Sequence, residues 1–120
     1  MRLVPLAVTL AALAAPATAM AWHNHLTKST PAADETGAQS PKEIRLWFAE
    51  KVQVQFSSIG LLTADSTKVD IGKAHATDDP LSIAADVTKP LGAGKYTVVW
   101  RTAGDDGHAV RGKFAFTVGK

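Results

Sequence analysis

Two runs near the C-terminal end alternate apolar and polar residues with the period of two expected of a strand with one buried face. Lys95-Tyr96-Thr97-Val98-Val99-Trp100-Arg101 puts Tyr96, Val98 and Trp100 on one side, and Phe114-Ala115-Phe116-Thr117-Val118 does the same with Phe114, Phe116 and Val118. The link Gly104-Asp105-Asp106-Gly107-His108 has the composition of a strand-connecting loop. Earlier in the chain, Ile44, Leu46 and Phe48 alternate with Glu43, Arg45 and Trp47, and after Ala49-Glu50-Lys51 the alternation resumes at Val52, Val54 and Phe56. Further short runs lie at 59–62, 67–71 and 81–85, with turn residues such as Gly72, Asp78-Asp79-Pro80 and Lys89-Pro90 between them. About five to eight short strands at even spacing, without a helical apolar stripe, predict an all-β sandwich. Tyr96 opens a strand two residues after Gly94 and five after Leu91, which reads as a tyrosine corner of an immunoglobulin-like sandwich. Tyr96, Trp100, Phe114 and Phe116 are then most economically core residues.

The remaining chain bounds compartment and partners. Arg2 is followed by an apolar run from Leu3 to about Ala15 and by two A-x-A patterns, Ala17-Thr18-Ala19 and Ala19-Met20-Ala21. This predicts a secretory signal peptide over residues 1–22, cut after residue 21 or 22, and one mature domain over 23–120. No later apolar run reaches the roughly 18 residues of a spanning helix, so the mature domain is expected to be soluble. Loss of Arg2 lowers the formal net charge of +2 by one, which gives no case for nucleic acid or an anionic membrane surface. The chain has no Cys; an exported domain of this size must rely on its core, and the bacterial periplasm is the compartment that fits.

The chemistry lies with the histidines. Of the four, His75 sits in a polar stretch, Lys73-Ala74-His75-Ala76, and reads as an ordinary surface residue. His23 and His25 lie at or beside the N-terminus that cleavage would create, where an α-amine with a pKa of about 8 becomes a nitrogen donor. Asp106 and His108 are two apart, so on a locally extended backbone a carboxylate and an imidazole project to one side. Nitrogen and oxygen donors without sulfur suit Cu(II), and Ni(II) after it; Zn(II) prefers a tetrahedron and commonly takes Cys. Met1 and Met20 both fall in the leader, so no Cu(I) site is expected in the mature domain.

Three blocks carry a resemblance: His23-x-His25-Leu26-x-x-Ser29-x-Pro31-Ala32, Leu91-x-x-Gly94-x-Tyr96-x-Val98-x-Trp100-Arg101, and Asp106-Gly107-His108-x-Val110-x-Gly112-x-Phe114-x-Phe116-x-Val118. Together they resemble the CopC family of periplasmic copper-binding proteins, across the whole mature chain and most specifically in its last thirty residues. The resemblance implies an immunoglobulin-like or cupredoxin-like Greek-key sandwich or barrel of about seven strands. It also implies one Cu(II) per chain, held by the N-terminal amine and imidazole of His23 with Asp106 and His108. His25 is left as either a ligand or a group supporting one, because cleavage after Ala21 would put Trp22 first and change the chelate ring. The Met-rich segment that some relatives use for Cu(I) has no counterpart here. A CopD-type copper transporter of the inner membrane is the implied partner, and a monomer is expected.

Three function classes fit these residues to different degrees. A non-catalytic Cu(II) carrier or buffer in copper tolerance or uptake comes first. An N-terminal-His copper monooxygenase would need an open coordination position and a broad polymer-binding surface, which an added carboxylate and about a hundred residues do not favour. An immunoglobulin-like adhesion module would bind no metal stoichiometrically.

Overall fold

The computed structural model describes residues 24–120, and the expected leader and His23 lie outside them. Eight strands form two four-stranded antiparallel sheets. The first sheet has the order β1 (Leu26–Thr30), β2 (Glu43–Phe48), β6 (Ser82–Asp86), β5 (His75–Ala76). The second has the order β4 (Lys68–Val69), β3 (Ser58–Thr63), β7 (Gly94–Ala103), β8 (Ala109–Val118). The all-β sandwich expected from the alternation is present. It is open, with β1 and β5 on the edges of one sheet and β4 and β8 on those of the other, so the barrel alternative does not hold. Two of the eight strands, β4 and β5, have only two residues each, and the count stays close to the expected seven.

One apolar layer joins the sheets. Ile44, Leu46 and Phe48 of β2 and Ile83 and Ala85 of β6 meet Ile59 and Leu61 of β3, Tyr96, Val98 and Trp100 of β7 and Phe116 and Val118 of β8. These are the inward positions predicted by period two. The rings of Phe48 and Trp100 meet edge to face across the layer at 5.1 Å, and Tyr96 stacks on Phe116 at 5.8 Å. The Tyr96 hydroxyl donates to the carbonyl of Gly92 at 2.8 Å, which is the tyrosine corner. Gly112 lies opposite Trp100 in the β7–β8 ladder, and a Cβ there would stand 2.5 Å from the indole Cζ2. Only glycine lets the indole lie flat across that strand.

The alternation misleads at one place. Val52, Val54 and Phe56 do not form a strand; Val54–Phe56 is a single 3-10 turn closed by bonds from the Phe56 and Ser57 N–H groups to the carbonyls of Gln53 and Val54. This segment carries the chain from the first sheet to the second, so no neighbouring strand is there to pair with it. Val52 and Val54 still pack on the core, but Phe56 is exposed.

The opposite error occurs at the start, where a polar opening conceals β1. Only Leu26 and Ser29 turn inward, and a bulge between Leu26 and Lys28 breaks the two-residue period. Beyond β1 the chain crosses to the second sheet. The N–H groups of Asp34 and Ala38 bond to the carbonyls of Ala115 and Thr117, which covers the free edge of β8.

Two substitutions test this account of the core. Gly112→Ala should destabilise the fold by about 1–3 kcal/mol through overpacking against Trp100, read as a lower midpoint in urea unfolding. Tyr96→Phe should cost about 1 kcal/mol, the value of one hydrogen bond, with no change in the dependence on denaturant.

Candidate metal centre

The β7–β8 hairpin closes in a five-residue loop, since Ala103 pairs with Ala109. A turn bond from the Gly107 N–H to the Gly104 carbonyl, 3.0 Å, folds the loop back on itself. Gly107 follows at φ +79°, a left-handed conformation that a residue with a Cβ adopts at a cost. The reversal puts Asp106 and His108 side by side. Asp106 Oδ1 accepts the His108 backbone N–H at 3.0 Å, and Oδ2 lies 2.9 Å from His108 Nδ1. A carboxylate can only accept, so Nδ1 carries the proton and Nε2 of the neutral ring has a free lone pair. The two bonds from His108, the backbone one first, hold the Asp106 carboxyl below the usual carboxylate range.

Both side chains face solvent, with 79% of His108 and 63% of Asp106 accessible. With Nδ1 protonated and held by Asp106, the ring is oriented to offer Nε2 to a metal, as a carboxylate commonly orients a metal-bound histidine, and the Asp106 oxygens keep further lone pairs.

A cleft of about 370 Å³ opens beside this pair, lined by Asn24, Glu50, Lys51, Gly104, Asp105, Asp106, His108 and Val110. Asn24 is the first described residue and it is firmly docked. Its Oδ1 accepts the Glu50 N–H at 2.8 Å and its Nδ2 donates to the Glu50 carbonyl at 3.1 Å. The next residue continues the attachment, with the Ala49 N–H donating to the His25 carbonyl at 3.0 Å. His25 itself is exposed and is not among the residues lining the cleft. His23 lies outside the described residues, one position before Asn24.

Asp105 is occupied elsewhere: its Oδ1 accepts from the Gln53 side chain, and the Gln53 N–H donates to the Ala103 carbonyl at 2.9 Å. These contacts fasten the crossing segment beneath the loop. Arg101 donates to the Phe56 carbonyl at 3.2 Å. Asn24, Glu50 and Gln53 escaped the sequence reading. Their one signal was the break at Ala49-Glu50-Lys51, which sets a carboxylate at the end of β2.

Comparison with known proteins agrees with this architecture. The CopC domain model matches residues 26–119. Copper resistance protein C of Escherichia coli is 35% identical over 80% of this chain and 81% of its own. The crystal structure of CopC from Methylosinus trichosporium OB3b superposes with a TM-score of 0.73 at 35% identity, covering 80% of this chain and 93% of that one. The structure of PcoC, a methionine-rich copper resistance protein from Escherichia coli, gives 0.72 at 36% identity, covering 80% and 98%. A match over nearly all the described sandwich, including the hairpin that carries Asp106 and His108, places this chain in the CopC family.

Proposed function

We propose that the protein is a periplasmic Cu(II) carrier or buffer in copper tolerance or uptake. Its copper cargo would be held by the N-terminal amine and imidazole of His23 together with Asp106 and His108. The observation that carries this reading is the docking of Asn24 on the Glu50 backbone, in the cleft that Asp106 and His108 line. His23 directly precedes Asn24 in sequence, so the docking of Asn24 supports a role for it at that cleft. Glu50 and Lys51 line the same cleft with opposite formal charges, so Asp105 and Asp106 leave its lining net negative when His108 is neutral.

The donor set favours Cu(II) over Cu(I), because residues 23–120 contain neither Met nor Cys. In this respect the chain differs from its methionine-rich relative. His25 would support the site through its backbone hold on Ala49 more than through its ring. Residues 1–22 would serve as the export signal, and trimming would produce the amine. The protein would act without catalysis, as a monomer that hands copper to a CopD-type inner-membrane transporter. Open, solvent-facing ligands suit such a hand-over, because an incoming ligand can reach the ion before the old one leaves.

The processed, untagged chain should take up one Cu(II) in this cleft with a spectrum free of any intense thiolate band. His108→Ala or Asp106→Ala should weaken that binding at least tenfold, the scale of effect that perturbing a metal's surroundings produces. A chain with extra residues before the mature N-terminus should bind weakly, whereas equal binding by both forms would remove the amine from the ligand set. Copper-dependent oxidation of a polysaccharide in the presence of ascorbate would replace the carrier with an enzyme.

Asn24→Ala provides an independent check. Loss of two hydrogen bonds at about 0.5–1.5 kcal/mol each would free the N-terminal segment, so Cu(II) affinity should fall by several-fold to about a hundredfold. Isothermal titration in parallel with thermal unfolding separates this from a loss of fold.

A further inference from the structure

A second group of metal-binding side chains lies on the outer face of the first sheet, away from the cleft. Glu43 of β2, His75 of β5 and Asp86 of β6 each bring one ligand atom to within 4.8 Å of the others. Glu43 opens β2, while the cleft lies beyond Phe48 at its other end; at about 3.3 Å per residue the strand separates the two places by about 16 Å. The Cu(II) reading above uses none of these three residues.

The sheet register explains the convergence. Glu43 and Asp86 are direct partners across the β2–β6 ladder, and His75 pairs with Ala84, two residues from Asp86 and on the same face. Two carboxylates placed directly opposite each other on neighbouring strands repel unless a cation lies between them. The imidazole makes the same demand. His75 Nδ1 lies 2.9 Å from the Ala76 carbonyl, which can only accept, so Nδ1 holds a proton. Nε2 then faces Asp86 Oδ1 at 3.2 Å. In a neutral ring this sets a lone pair against a carboxylate, and the contact becomes attractive only when a proton or a metal ion occupies the space between. A ring whose far N–H is fixed by a backbone carbonyl is also how metal-bound histidines are commonly oriented. The bond to the Ala76 carbonyl, and after it the one to Asp86, raises the His75 pKa above its ordinary value, in keeping with surroundings that favour positive charge.

We propose that Glu43, His75 and Asp86 form a second site, which takes a borderline divalent ion through one imidazole nitrogen and two carboxylate oxygens. Such a donor set accepts Cu(II) ahead of Zn(II). The group is open to solvent, so water completes the coordination and the ion is held less tightly than in the cleft. The protein thus has a strong place for one copper ion and a weaker one on the opposite part of the sheet, filled only when the metal is abundant.

The test titrates processed, untagged protein with Cu(II), and separately with Zn(II), while following the histidine ring signals by NMR and metal content by mass spectrometry under native conditions. Wild type should take a second, weaker equivalent of Cu(II), and His75→Ala should lose that equivalent while keeping the first. A chain with Asp106→Ala and His108→Ala should still bind one ion, with the His75 signals broadened by Cu(II) and shifted by Zn(II). Glu43→Gln with Asp86→Asn should weaken this binding at least tenfold. All the side chains replaced at the second site point outward, and thermal unfolding of each variant verifies the fold. A second equivalent that survives His75→Ala, or its absence from wild type, would overturn the proposal. Loss of tight Cu(II) binding with the second equivalent intact would count against the cleft alone.

Discussion

The longest ladder in the molecule, the ten-residue pairing of β7 with β8, controls both the core and the candidate metal centre. Its inward side chains, Tyr96, Val98, Trp100, Phe116 and Val118, supply much of the apolar layer. Its register places Gly112 under the Trp100 ring and leaves a five-residue loop at the end. A slip by one residue would turn every aromatic outward and would also move Asp106 and His108 relative to the cleft. The candidate centre is therefore set by the same packing that holds the sheets together, although the side chains of Asp106 and His108 are exposed.

The β7–β8 hairpin was legible because its signals agree. Period two, aromatic content, a Gly-rich link and the tyrosine corner all specify the same pairing, and β2 was readable for the first of these reasons. Alternation records burial, however, not hydrogen bonding. Val52 and Val54 are half-buried in a segment that crosses between sheets, so they carry a strand-like pattern without a ladder. β1 shows the converse, a paired strand with one face in water and a bulge that erases the period. The two-residue strand β5 is too short to leave any periodic trace, whereas β4 lies within the run at 67–71.

The same distinction applies to the candidate metal-binding residues. Asp106 and His108 are neighbours in sequence, and their relation could be read from a local turn. Glu43, His75 and Asp86 come from three strands, and only the register of the first sheet brings them together. His75 therefore looked like an isolated surface histidine. Asn24 and Glu50 were hidden for a related reason: their contact joins the start of the described chain to the end of β2, across 26 residues.

The electrostatics of the two places differ in a way that bears on their strength. At the hairpin, a proton on His108 Nδ1 already satisfies Asp106, and Nε2 remains available to a metal without disturbing that bond. A metal taken up through Nε2 would leave that hydrogen bond in place. At the sheet face, Nε2 is itself the atom directed at the carboxylate, and the Nδ1 proton is tied to the backbone. A metal there would have to occupy the space between Nε2 and Asp86 Oδ1 and so replace their present contact. On the proposed readings, a metal at the hairpin would keep the His108–Asp106 bond while one at the sheet face would replace the His75–Asp86 contact, and that difference favours the stronger binding at the hairpin.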